Sequence, residues 1–369
     1  MPAEPAKIGI IGCGDICGDY LRNARRLPTL EVVACADRIG ERAGAMAREH
    51  GVPRACSLDE LLADPAVEIV VNLTNPAAHF EVSLKAIEAG KHVYSEKPLA
   101  LTRDDAARLL AAASERGLRL GCAPDTFLGA GIQTARKLLD DGAIGEPVGA
   151  TAFWMDSGPE SWHPAPEFLF KPGAGPMLDI GPYFVTALVV LVGPIRRVAA
   201  MARTTYPTRT VGSGPLQGTP IHVEVPTLVA GSVEFAAGPI GSVIQTWDVQ
   251  ASTLPLMEIY GTDGSLHLPN AIGFGGPVRL RRRGERDWQE VPLTHAHEDI
   301  GRGLGIADMA AAIRSGRPHR ANGELAAHVL DVLLAFHEAA DGGRTVELTT
   351  ACERPAPAPP GLSPGRFDG

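Results

Sequence analysis

The sequence predicts an α/β protein: an N-terminal doubly wound parallel sheet, then a C-terminal α+β domain built on a large, mostly antiparallel open sheet. Three observations carry this reading. Over the first 124 residues, short β-branched runs alternate with helical stretches. The runs are apolar throughout rather than every second residue, as in strands covered on both faces. Beyond residue 124 the pattern changes to longer strand-like runs interrupted by few helices.

The implied division is 1–124, 125–348 and a tail at 349–369. In the first unit, residues 7–12, 30–36, 67–73, 91–95 and 118–122 read as strands. Helices are expected at 15–27, 38–50, 77–89 and 102–116, and another starts at Ser57-Leu58-Asp59-Glu60, which has capping-box form. In the second unit, strand patterning covers 146–155, 196–204, 223–236, 240–249, 255–261 and 277–283. Helices are expected at 129–141, 178–191, 303–315 and 323–341. The tail contains Pro355-Ala356-Pro357-Ala358-Pro359-Pro360 and reads as flexible.

With 369 residues, 45% hydrophobic and 21% charged, the chain can bury two ordinary cores. Its net charge of -9 argues against nucleic-acid or anionic-membrane partners, which reward a basic surface. The N-terminus lacks the pattern of a secretory signal, and no apolar run is long enough to span a bilayer. Six cysteines without paired zinc spacing fit a reduced cytoplasm and no metal site.

The first candidate element is Gly12-Cys13-Gly14-Asp15-Ile16-Cys17, a strand-to-helix turn. Gly12 permits the turn, Gly14 lets the backbone approach a pyrophosphate, and the helix start at Asp15 and Ile16 offers free N–H groups. The third position holds Cys17, small enough for close packing. Asp37, 25 residues after Gly12, can accept from adenosine ribose hydroxyls and repel a 2′-phosphate, favouring NAD, with NADP possible. Arg38 can stack on adenine, pair with a 2′-phosphate or simply face solvent. Thr74, Asn75, Pro76 and His79 follow a central strand, where they can meet the cofactor; Asn75 can equally cap a helix.

Glu96-Lys97-Pro98 ends the next strand. The chain has 28 Arg and only 6 Lys. Arg stays charged near neutrality, whereas a desolvated lysine beside a cationic nicotinamide can lose its proton and act as a base. Asp179 and Tyr183, four residues apart at a Gly/Pro-rich helix start, should share a face and converge on that lysine. Trp162, His163 and Phe168 can bring an aromatic platform to a sugar ring, and Asp125 and Thr126 can also face the pocket; their structural alternatives are core packing and helix capping. His295 and His297 form a scrap of metal-like pattern without a partner cluster.

GCGDIC near the start, EKP at 96–98 and GAGPMLDIGPY at 173–183, followed by a β-rich half, resemble the glucose-fructose oxidoreductase/inositol dehydrogenase/rhizopine catabolism (Gfo/Idh/MocA) family. The resemblance implies a Rossmann domain binding NAD or NADP, and a C-terminal sheet used for substrate binding and homo-oligomer contacts. It also implies hydride transfer with a sugar or cyclitol substrate. Lys97 would be the catalytic lysine, Asp179 its carboxylate partner, and Tyr183 stands where many members carry histidine. A redox-neutral glycosidase or lyase on the same scaffold, or a non-catalytic cofactor-sensing regulator, are the alternative readings.

Overall fold

The computed structural model describes residues 4–368. The first sheet contains β1 (Ala6–Ile11), β2 (Leu30–Ala36), β3 (Ala55–Cys56), β4 (Ile69–Asn72), β5 (His92–Ser95) and β6 (Leu120–Cys122). Its order is β3-β2-β1-β4-β5-β6 and every pairing is parallel. The order reverses between β1 and β4, so their carboxyl ends open a crevice where doubly wound sheets hold ligands.

Helices α1 (Cys17–Ala24), α2 (Gly40–His50), α3 (Leu58–Ala63), α4 (His79–Glu88) and α5 (Arg103–Glu115) connect these strands. The capping box read at Ser57 is formed: its hydroxyl accepts from Glu60 N while Glu60 accepts from Ser57 N. Such a cap stabilises a short helix by about 1 kcal/mol.

After α6 (Ala130–Asp140), strand β7 (Pro147–Met155) enters the second sheet. Next come α7 (Pro176–Asp179), α8 (Gly181–Leu191), β8 (Ile195–Arg203) and a small hairpin of β9 (Thr208–Thr210) with β10 (Pro220–His222). Five strands follow: β11 (Leu228–Phe235), β12 (Ile240–Thr246), β13 (Met257–Gly261), β14 (Gly264–His267) and β15 (Val278–Arg282). The chain finishes with β16 (Gln289–Val291), α9 (Leu304–Ser315), α10 (Gly323–Gly342) and β17 (Val346–Glu347). Nine strands form the sheet β16-β15-β14-β13-β7-β12-β11-β8-β17, antiparallel except where β12 runs parallel to β7.

The last helices belong to the first sheet's packing as much as to the second's. Leu304, Ile306 and Met309 of α9 share a core with Ile8, Ile10 and Val71, while Ala327 and Leu330 of α10 join the core around Ala34, Val70 and Val93. An isolated bridge pairs Gly121 with Asn322.

Two expectations need correction. The single helix read over 178–191 is interrupted at Ile180: Pro182 starts a fresh helix, because a proline is tolerated in a first turn but not within a helix. The tail read as flexible lies in fixed contact with the body. Arg136 donates to Pro355 O, Arg320 donates to Ala356 O and Pro357 O, Gln133 Oε1 accepts from Ala358 N, and Phe367 stacks on His297. Proline has no N–H to satisfy, so carbonyl acceptors meeting arginine donors suffice to dock such a segment.

Candidate active site

The cofactor end starts where β1 stops. Gly12 has φ +101°, and a Cβ there would meet Leu73 main-chain atoms at 2.6 Å, so glycine is required for the turn to pass β4. Gly14 is exposed, and a Cβ on it would meet only open space. The amides of Gly14, Asp15 and Ile16 make no hydrogen bond to the described residues, and α1 has no side-chain cap. Cys17 is fully buried beneath them. An uncapped helix start with free amides and an open face fits a pyrophosphate.

Asp37 stands beside this turn. One carboxylate oxygen accepts from Cys13 N (2.8 Å) and the other from Ile39 N (2.8 Å). Arg38 is exposed. Between β4 and α4, the Thr74 hydroxyl donates to Asn72 Oδ1 (2.7 Å), and Asn75 caps the turn at Pro76 through Ala78 N.

His79 lies buried beneath this loop. It is 1% exposed, with Nδ1 2.7 Å from Pro98 O and Nε2 2.9 Å from Thr74 O. Burial holds its pKa below the ordinary value although both carbonyls favour the charged ring. Its place is structural, tying the loop after β4 to the lysine turn.

That turn carries the chemistry. Tyr20 donates to Glu96 Oε1 (2.7 Å), and Lys97 N donates to Glu96 Oε2 (3.1 Å), so Glu96 is spent on positioning. Lys97 Nζ donates to Asp179 Oδ1 (2.6 Å) and to Asp179 O (2.8 Å), and lies 5.3 Å from the centre of the Tyr183 ring. The break at Ile180 therefore still leaves both partners around the amine. Burial opposes the ammonium charge, but Asp179 foremost, then Tyr183 and Glu96, outweigh it and hold the Lys97 pKa above its ordinary value. Desolvation by itself would lower the lysine pKa, and the carboxylate outweighs it. Burial also raises the Tyr183 phenol, against the pull of Lys97 and Arg302.

On the substrate side the residues separate. Asp125 faces inward, 1% exposed, and accepts from Gly303 N (2.8 Å) and Gly305 N (2.9 Å) at the start of α9; Thr126 is buried beside it. Asp125 does not cap the helical turn that follows it; it satisfies two amides at the start of α9 that would otherwise be orphaned. Trp162, His163 and Phe168 stack edge to face, with Trp162 65% exposed. The chain around them contacts the 204–222 arm through Gly212 N and Glu160 O (2.7 Å). Arg209 fastens that arm by pairing with Glu160 and Asp248, all three side chains being nearly buried. Breaking such a buried pair costs about 3–5 kcal/mol.

Sequence reading missed two groups. Gln245, fully buried on β12 opposite Trp154, has neither amide atom bonded. Arg302, in the Gly-Arg-Gly-Leu-Gly run that leads into α9, lies 5.8 Å from the centre of the Tyr183 ring. The paired glycines around a single arginine were the available signal.

A Rossmann crevice facing a lysine–carboxylate–phenol cluster, with a second sheet behind it, defines a nicotinamide-dependent oxidoreductase of the two-domain type. Residues 6–123 match the oxidoreductase family with an NAD-binding Rossmann fold, and residues 132–267 match the GFO/IDH/MocA C-terminal domain. The chain belongs to the Gfo/Idh/MocA oxidoreductase family. It is 29% identical to a 1,5-anhydro-D-fructose reductase of Ensifer adhaerens over 93% of this chain and 98% of that one. It is 34% identical to a dTDP-3,4-didehydro-2,6-dideoxy-alpha-D-glucose 3-reductase of Streptomyces violaceoruber, covering 84% and 85%. In fold it matches the apo form of levoglucosan dehydrogenase with a TM-score of 0.82 at 22% identity, over 95% and 100% of the two chains.

Proposed function

We propose that the protein transfers a hydride between a sugar or cyclitol hydroxyl or ketone and a nicotinamide cofactor, with Lys97, Asp179 and Tyr183 handling the proton. The observation that carries it is the double hydrogen bond from Lys97 Nζ to Asp179 beside the Tyr183 ring, at the carboxyl end of β5. The names of the relatives, a sugar reductase and a nucleotide-sugar reductase among them, support the substrate class.

The cofactor, held at Gly12, Gly14, Asp15, Ile16 and Asp37, supplies the hydride acceptor or donor. The chain supplies the rest. In reduction, the Lys97 ammonium or the Tyr183 phenol gives its proton to the oxygen of the new alkoxide. In oxidation the same groups take the hydroxyl proton, which requires Lys97 first to be neutral; a positive charge nearby favours that loss. Asp179 keeps the amine on the reacting oxygen in either direction.

We place the protein in the cytoplasm. No helix among the described residues is long and apolar enough to cross a membrane. We also assign it a homo-oligomer through the open face of the large sheet. Met201 there is 82% exposed, and Ala199, Ser232, Ser242 and Thr151 form a row of small side chains across four paired strands.

The test is a panel of sugars, inositols and glycosides with NAD and NADP, read as reduced cofactor and then as product structure. Cofactor binding without turnover on any polyol or ketose would overturn the proposal.

A further inference from the structure

We propose that Arg302 is a specificity-determining residue that binds an anionic group, a carboxylate or a phosphate, on the sugar substrate. This rests on the reading that hydride transfer occurs at the Lys97–Asp179–Tyr183 cluster.

Partly buried arginines in this chain are paired. Arg209 meets Glu160 and Asp248, Arg136 meets Asp140, Arg320 meets Asp308, and Arg317 meets Asp308 and Asp368. Arg302 is the exception at the site: it is half-buried, yet it has no salt bridge or hydrogen bond to the described residues. None of its nitrogens is among the sealed, unpartnered atoms of the structure, so the guanidinium keeps access to the cleft. A cation removed from bulk water and left without an acceptor is costly unless a ligand completes it.

The carboxylates of the site are already committed. Glu96 accepts from Tyr20 and from Lys97 N, Asp179 accepts from Lys97 Nζ, and Asp125 accepts from Gly303 N and Gly305 N. Lys97 has its countercharge, whereas Arg302 has none in hydrogen-bond contact.

The main chain that carries the group is held in place. Asp125 pins the amides just after Arg302, and Gly303, at φ +113°, turns the chain there into α9. The guanidinium offers a planar fork of donors that matches carboxylate or phosphate oxygens in pairs. A neutral hydroxyl uses only part of such a fork. The amides of Gly14, Asp15 and Ile16 are free to take the cofactor's phosphates.

The test uses the full-length protein saturated with NADH and reads cofactor fluorescence during titration with D-glucuronate, D-glucose 6-phosphate or D-glucose. Wild-type protein should bind at least one of the two anions more tightly than glucose, and which one identifies carboxylate or phosphate. Arg302→Gln should weaken that anion about ten- to hundredfold while leaving glucose and NADH within about threefold. Arg302→Lys, which keeps the charge but not the fork, should fall between the two. Three results would overturn the assignment: equal binding of anions and glucose by wild type, a loss confined to NADH affinity in Arg302→Gln, or equal weakening of charged and neutral sugars. The second would give Arg302 to the cofactor's phosphates, and the third would make it a counterion for Glu96 and Asp125. Binding is read without turnover, so failure of hydride transfer on every sugar would sink the catalytic reading while leaving this measurement intact.

Discussion

Lys97 and Asp179, 82 positions apart in the chain, are joined by two hydrogen bonds from one ammonium, to a carboxylate oxygen at 2.6 Å and to the main-chain oxygen of the same residue at 2.8 Å. The amine is thereby fixed in direction as well as in charge. Replacing Lys97 by Met removes both the proton carrier and the anchor. Turnover should fall about 10²- to 10⁴-fold, with the NADH dissociation constant little changed. Stopped-flow single-turnover rates check this, and an unchanged rate would refute the assignment.

Asp179→Asn separates charge from position. With the carboxylate gone, the burial that opposes the ammonium is no longer outweighed by its main opponent, so the Lys97 pKa should drop. The limb of the pH–rate profile that reports the lysine should then move toward lower pH. For stability the sign is opposite to that of a carboxylate pair. The raised Lys97 pKa stabilises the wild type fully below 10.5, and this is lost only as pH climbs through the higher folded value. Asp179→Asn should therefore be the less stable protein at neutral pH, with the gap closing in strong alkali. A profile that superimposes on wild type defeats this account.

Asp37 bridges the glycine turn and its own loop, so Asp37→Ser should be felt twice. It removes the acceptor for Cys13 N and the negative charge that repels a 2′-phosphate. NAD affinity should fall about tenfold or more while NADP affinity holds or rises. Titrations with both cofactors measure the ratio, and a constant ratio would show that Asp37 does not set the preference.

Burial depresses the pKa of seven histidines: His79, His92, His295, His297, His319, His328 and His337, with His319 brought down to about 4. Each contributes stability that is present above 6.5, the ordinary value, and is lost as pH falls through the lower folded value. Every proton bound by the unfolded chain and refused by the fold costs about 1.4 kcal/mol per pH unit. Buried Asp125 and half-buried Asp156, whose pKa values are raised by desolvation, act in the opposite sense at lower pH. Denaturant midpoints should fall markedly between pH 7 and pH 5. A flat profile across that window would rule the histidines out.

Much of this was readable from sequence where a local rule acts alone. Gly12, the Ser57 capping box and the apolar run at 67–73 each obey one. Lys97 stood out because lysine is scarce in the chain and follows a strand. Arg302 did not: its flanking glycines are a weak signal for one arginine among 28 until its neighbours are known to be engaged elsewhere. Asp125 and His79 were legible only in part: a polar residue at a strand end serves a pocket or a buried main-chain group equally well in sequence, and their burial shows only in the fold. The proline-rich tail was misjudged because composition registers the missing N–H groups but not the arginines that meet its carbonyls.

The helices that close over both faces of the first sheet are made last. While the ribosome is still producing the second sheet, Ile8, Ile10, Val70 and Val93 lack the cover that α9 and α10 later give them. The nucleotide-binding half is thus finished only when the final segments arrive. Cutting the gene after residue 124 should yield a fragment that aggregates, and chaperone demand should peak midway through synthesis.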